Sequence, residues 1–127
     1  MEWKDGRLQL PNVTLMAMTS VNVRQTIKAM QYSMRQIDFG DCVLITHRKP
    51  FFLPKGIRYA HTSKLTNIDC FNYKMLYELG DYIHTDFVMV VHADGFIVHP
   101  EMWRDEFLDN IRIYKYFCIQ PLMMLLL

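Results

Sequence analysis

Asp94 and His92 stand two positions apart at the end of a valine-rich run, Phe-Val-Met-Val-Val over residues 87–91, with Gly95 and His99 following. An apolar run of that kind reads as a strand buried on both faces, so the carboxylate and imidazole come where the strand leaves the core. In open α/β sheets, ligands bind outside the carboxyl ends of the strands. A carboxylate there is a candidate ligand for Mg²⁺ or Mn²⁺, which take one or two carboxylates plus the phosphates of a substrate. His92 falls on the same face of an extended chain as Asp94, and imidazole is acceptable to Mn²⁺. Asp94-Gly95 between apolar runs is also a signal for a tight hairpin, because both residues tolerate positive φ. Turn and site are compatible, since a turn holds a carboxylate at a sheet edge. His84, His92 and His99 lack compact zinc spacing and no cysteine joins them, so His99 reads as an ordinary loop residue.

Further polar residues belong to the same edge. Thr19, Ser20 and Asn22 follow the apolar run 13–19 and precede a helical pattern. Hydroxyls, an amide and free N–H groups at a helix start suit a base, ribose or phosphate, although Ser20 and Asn22 also suit plain capping. Lys64 follows the strand 57–61 and can meet a phosphate as a point charge; a solvated lysine is the alternative. Gly-x-Gly-x-x-Gly, Gly-Lys-Ser/Thr and Gly-x-Ser-x-Gly are all missing from the sequence, which supports neither a dinucleotide fingerprint, a P-loop nor a serine nucleophile elbow.

The elements that must position these residues follow from patterning. A strand over 13–19 precedes a helix in which Val23, Ile27, Met30, Met34 and Ile37 recur at helical spacing, with Asn22 and Gln25 able to form a capping box. Phe39, Gly40 and Asp41 punctuate its end before a strand at 42–46. A loop over 47–54 carries Arg48, Lys49 and two prolines, and a weaker strand follows at 57–61. Thr66 with Asp69 repeats the capping signature, opening a helix through Phe71, Met75, Leu79 and Tyr82 that leads to the strand at 87–91. A short helix is expected over 101–108 behind Pro100. Strands alternating with helices predict an α/β fold: a mostly parallel sheet flanked by helices, the Rossmann-like nucleotide-binding half of a domain. Residues 1–11 read as a charged lead-in, 12–109 as the domain, and 110–127 as an apolar tail, an edge strand at most. Lys115, Gln120 and Pro121 interrupt the tail too often for a transmembrane segment.

Composition narrows the function classes. The 127 residues are 51% hydrophobic, and 14 Lys and Arg nearly balance 13 Asp and Glu, which suits one globular domain and disfavours nucleic acid as a partner. Cys42, Cys70 and Cys118 are widely spaced and odd in number, so they read as buried thiols of a reducing compartment. With a polar, mixed-charge start, a cytoplasmic location is expected.

Three segments carry a resemblance: 13–22 (Val-Thr-Leu-Met-Ala-Met-Thr-Ser-Val-Asn), 28–34 (Lys-Ala-Met-Gln-Tyr-Ser-Met), and 85–109 with its Ala-Asp-Gly-Phe and Trp-Arg-Asp-Glu-Phe. Together they resemble an uncharacterised glycosyltransferase-like domain family of bacterial sugar-polymer loci and some large viruses, whose members look like GT-A nucleotide-diphospho-sugar transferases. The resemblance implies a nucleotide-sugar donor and an acceptor of unknown kind. It places Asp94 at the end of the metal-binding strand, with a divalent cation, Mn²⁺ or Mg²⁺, against the diphosphate. His92 stands where an Asp-x-Asp motif has its first member, and Thr19 and Ser20 match the loop facing the nucleoside. Residues 110–127 show neither the tyrosine-rich segment nor the Gly-Ala-Pro-Trp motif with which the family continues, so a truncated member lacking the acceptor half is expected. The alternative is a catalytically inactive remnant, a nucleotide-binding or protein-interaction module, with the apolar tail 122–127 as a contact for self-association.

Overall fold

The computed structural model describes residues 3–93, 96–103, 112–113 and 123–126. Its strands are β1 (Trp3–Lys4), β2 (Arg7–Met18), β3 (Ile37–Thr46), β4 (Arg58–His61), β5 (Phe87–Val90), β6 (Arg112–Ile113) and β7 (Met123–Leu126). Two helices, α1 (Val23–Ser33) and α2 (Ile68–Tyr77), join them. The sheet order is β4-β3-β2-β5-β7-β6, with β1 attached to β2. The four strands from β4 to β5 run parallel, whereas β7 is antiparallel to β5, β6 to β7 and β1 to β2. The chain is an α/β protein with a mostly parallel mixed sheet.

Side-chain alternation along the strands sorts the core into two layers. Leu15 and Ala17 of β2, Leu44 of β3 and Met89 of β5 pack with Ile27 and Met30 of α1. Met16, Met18, Val43, Ile45, Val88 and Val90 point the other way, toward Phe71 of α2 and Ile83. The helices therefore cover opposite faces, and the near-continuous apolar runs of β2, β3 and β5 follow from burial on both sides.

Several boundaries differ from the sequence reading. The first strand begins at Arg7, not Val13, and runs through Pro11. Asp5 and Gly6 have φ of 53° and 78°, the paired positive values that a tight hairpin needs, so the chain's first Asp-Gly folds Trp3 and Lys4 back onto β2. Helix α1 stops at Ser33, and Ile37, expected as its last apolar position, is instead the first residue of β3, paired with Leu8. Arg7 explains the stop: its guanidinium donates to the carbonyls of Met34 (3.0 Å), Arg35 (2.9 Å) and Ile37 (3.3 Å), groups that a longer helix would have used itself. Asn22 takes φ 52° and makes no side-chain cap, so the expected capping box with Gln25 is not formed. At α2 the cap is Asn67, whose Oδ1 accepts from the Cys70 N–H at 2.8 Å, in place of Thr66. The expected short helix over 101–108 begins as a single 3-10 turn, Pro100–Met102, after which Trp103 is extended; residues 104–108 lie outside the described part.

Gly40, expected as punctuation, lies inside β3 where β2 and β3 change register together. Leu10 pairs with Phe39 and Thr14 with Asp41, so three residues of β2 oppose Gly40 alone. A Cβ on Gly40 would stand 2.1 Å from the Pro11 carbonyl oxygen and 2.9 Å from its carbon. Only glycine lets the backbones approach that closely. Gly40→Ala is therefore expected to destabilise the protein by about 1–3 kcal/mol, read as a lowered midpoint in urea; an unchanged midpoint would refute the close approach.

Asp38 binds Arg7 Nε at 2.6 Å and Gln9 Nε2 at 2.7 Å, tying β3 to β2. The Gln9 hydrogen bond first, and the Arg7 bond and charge after it, hold the Asp38 carboxyl below its ordinary value. Its ionised form thus contributes stability above the unfolded value of about 3.9, and the contribution is lost as pH falls through the lower folded value. Asp38→Asn should flatten the acid limb of a melting-temperature profile below about pH 4; a limb identical to that of the parent protein would contradict this role.

Candidate functional site

The chain leaves β2 through α1 to reach β3 on one side, and leaves β4 through α2 to reach β5 on the other. The carboxyl ends of β2 and β5 are neighbours, and in open α/β sheets ligands bind at that edge. A cleft of about 400 Å³ lies there, lined by Thr19, Ser20 and Val21 after β2, Leu65, Asn67 and Phe71 around the start of α2, and His92 after β5.

Backbone bonds carry the sheet ladder one residue beyond the strands. Thr19 N donates to Ile45 O at 3.0 Å, Thr62 N to Thr46 O at 3.1 Å and Val91 N to Met16 O at 2.9 Å. The loops that shape the cleft thus start from fixed points. Thr19 Oγ1 donates to the Val21 carbonyl at 2.6 Å and accepts from the Val21 N–H at 3.2 Å, closing a local turn. Ser20 Oγ accepts from the Leu65 N–H at 2.8 Å, joining the β2–α1 loop to the β4–α2 loop across the cleft. Ser20 is therefore a bridge between loops and no cap for α1. Among the described residues the first turn of α1 has neither a side-chain cap nor an acidic residue to meet its positive dipole end.

Of the residues proposed from sequence, Thr19, Ser20 and His92 come together in this cleft. The His92 ring leans against Phe71, centroids 5.7 Å apart. Lys64 is exposed and adjoins the lining residue Leu65, but it is not itself part of the lining. Asp94 and Gly95, with the hairpin expected there, lie outside the described residues. Among the described residues no group of three or more His, Cys, Asp or Glu is placed to hold a metal. His99 pairs with Glu101 at 3.0 Å, both exposed. Thiol chemistry has no support: burial first, then the Asp41 carboxylate, push the Cys42 thiol up to about 12, leaving it protonated at neutral pH. Cys70, expected to be buried, is only half-buried, and Cys118 lies outside the described residues.

Sequence reasoning missed Leu65, Asn67 and Phe71 as lining residues. Asn67 carried a signal, since an asparagine three residues before Cys70 caps as well as Thr66 before Asp69. It also missed a second, larger cavity of about 830 Å³ on the other face, between α1 and residues 47–54. Among the described residues no helix is long and apolar enough to cross a membrane. Searches against protein-family models, curated proteins and solved structures found no match.

Ser20→Ala removes the acceptor of the Leu65 N–H and is expected to cost about 1 kcal/mol. Amide exchange at Leu65 should quicken about fivefold; unchanged exchange would show that this bond does not hold the loops together.

Proposed function

We propose that the chain is a glycosyltransferase-like protein of the GT-A type, binding a nucleotide-sugar donor at the carboxyl edge of its parallel sheet for transfer of the sugar to an acceptor. The observation that carries this reading is the cleft itself, which sits at the adjoining carboxyl ends of β2 and β5 and is lined by the hydroxyl residues Thr19 and Ser20 and by His92. The strand order supports it, being a four-stranded parallel half extended beyond β5 by antiparallel β7. Thr19 and Ser20 shape the wall facing the nucleoside, and Lys64, exposed beside the lining residue Leu65, meets the diphosphate as a point charge.

Asp94 and His92 form the proposed metal pair. With phosphate oxygens and water, the carboxylate would suit Mg²⁺ or Mn²⁺ and the imidazole would be acceptable to Mn²⁺, and His92 lines the cleft beside Phe71. A bound cation would supply charge neutralisation of the departing diphosphate. The chain's own part is to hold the donor so that an acceptor hydroxyl can attack the anomeric carbon, with Ser20 keeping the two loops at a fixed separation.

Calorimetric titration with a panel of nucleotide-sugars, with and without Mn²⁺, tests the reading. One donor is expected to bind more tightly with Mn²⁺, and Asp94→Ala should remove the Mn²⁺ dependence. Absence of binding by every donor would overturn the function, and Mn²⁺-dependent binding unchanged by Asp94→Ala would overturn the site.

A further inference from the structure

The larger cavity lies where a crossover would ordinarily place a helix. Residues 47–57 carry the chain from β3 to the neighbouring parallel strand β4 with no helix, and Pro50 and Pro54 keep the segment irregular. Beside α1 this leaves a space of about 830 Å³, within the range of small-molecule pockets. It shares no lining residue with the cleft at β2 and β5.

Its walls are charged in one sense. Arg24 and Lys28 face it from α1, Arg48 and Lys49 from the loop, and no Asp or Glu lines it. These are four of the chain's 14 Lys and Arg, and among the described residues none of the four makes an ion pair or a side-chain hydrogen bond. Arg24 and Lys28 are one helical turn apart, where like charges repel, and Arg24 stands in the first turn of α1, where the dipole disfavours a cation. An arrangement that costs stability in the free protein is relieved by an anion.

Two independent observations point to a ligand. Thr46 Oγ1 and His47 Nδ1 are buried with no hydrogen-bond partner, and both residues line this cavity. Thr46 is fully buried and lies two residues beyond Leu44, hence on the α1 face of the sheet. Buried polar atoms without partners among the described residues are rare and expensive, and a ligand oxygen that reached them with a small shift of the cavity wall would satisfy them. At the mouth, Phe51 and Phe52 are 94% and 82% exposed, their rings edge to face at 4.9 Å. Such exposure of two adjacent aromatics marks a contact surface.

We infer that the cavity between α1 and residues 47–54 binds an organic phosphate, its phosphate held by Arg24, Lys28, Arg48 and Lys49 and its apolar or ring-shaped body lying against Phe51 and Phe52. The cavity's volume favours a small ligand over an acidic protein segment. The site is separate from the donor cleft and stands or falls independently of it.

The probes are 2-naphthyl phosphate, inorganic phosphate and 2-naphthol, titrated by fluorescence and calorimetry, together with sedimentation on phosphatidylcholine vesicles containing about one-fifth phosphatidic acid. Either 2-naphthyl phosphate or the phosphatidic acid vesicles should bind, the first identifying a free organic phosphate and the second a lipid headgroup. Inorganic phosphate and 2-naphthol should each bind roughly tenfold more weakly than 2-naphthyl phosphate. The exposed double substitution Lys28→Gln with Arg48→Gln should weaken binding about tenfold or more, and Phe52→Ala should weaken it measurably, whereas Lys4→Gln on β1 should not. Failure of both phosphate probes to bind, or binding indifferent to Lys28→Gln with Arg48→Gln, would overturn the proposal, as would binding only of an acidic peptide.

Discussion

Strand β2 is the constraint on which the rest depends. It is hydrogen-bonded along both edges, to β3 on one side and to β1 and then β5 on the other, and its residues from Val13 to Met18 are buried. A strand held on four sides has one register, because a one-residue slip would exchange Leu15 and Ala17 with Met16 and Met18 between two differently packed layers. Its carboxyl end, and with it Thr19 and Ser20, is therefore fixed in space before any loop chemistry is considered. The bonds from Thr19 to Ile45 and from Val91 to Met16 extend that rigidity to the rim of the cleft.

The amino end of the same strand is fastened by different means. Arg7 closes the carbonyl end of α1 and pairs with Asp38, while the backbone pinch between Pro11 and Gly40 lets β2 and β3 realign before their parallel run toward the cleft. Farther along, Asp41 accepts from the Cys42 N–H at 2.8 Å and pairs with Arg58 at 2.7 Å, and Arg58 reaches the Tyr82 carbonyl. Strand β4 and the segment leading to β5 are thereby tied to β3. These polar fastenings lie at the sheet's amino end and edge, leaving the carboxyl end to solvent-facing loops.

The fold class was legible because buried parallel strands write themselves as valine-rich runs and α1 as an amphipathic repeat. The boundaries were less so. Ile37 continues the helical spacing as well as it opens a strand, and only the Arg7 guanidinium, thirty residues away in sequence, decides the matter. Pro11 and Gly40 look like punctuation, yet they are one feature, a bulge that exists only when the two strands meet. The cleft was legible in part: Thr19, Ser20 and His92 follow strands, and strand ends converge by topology. The basic cavity was not, since Arg24 and Lys28 fall between the apolar positions of the α1 repeat, where a solvated face is ordinary, and Arg48 and Lys49 lie in a loop. Their meeting beside Phe51 and Phe52 depends on a crossover that lacks a helix.

If the carboxyl ends of β2 and β5 hold the donor, as proposed, hydrogen–deuterium exchange with and without a saturating nucleoside diphosphate and Mn²⁺ will locate it there. Protection at residues 19–21, at 65–68 and around His92 is the predicted result, with or without added protection at the separate basic cavity. Protection of residues 47–54 and the start of α1, with the β2 and β5 loops unchanged, would contradict it.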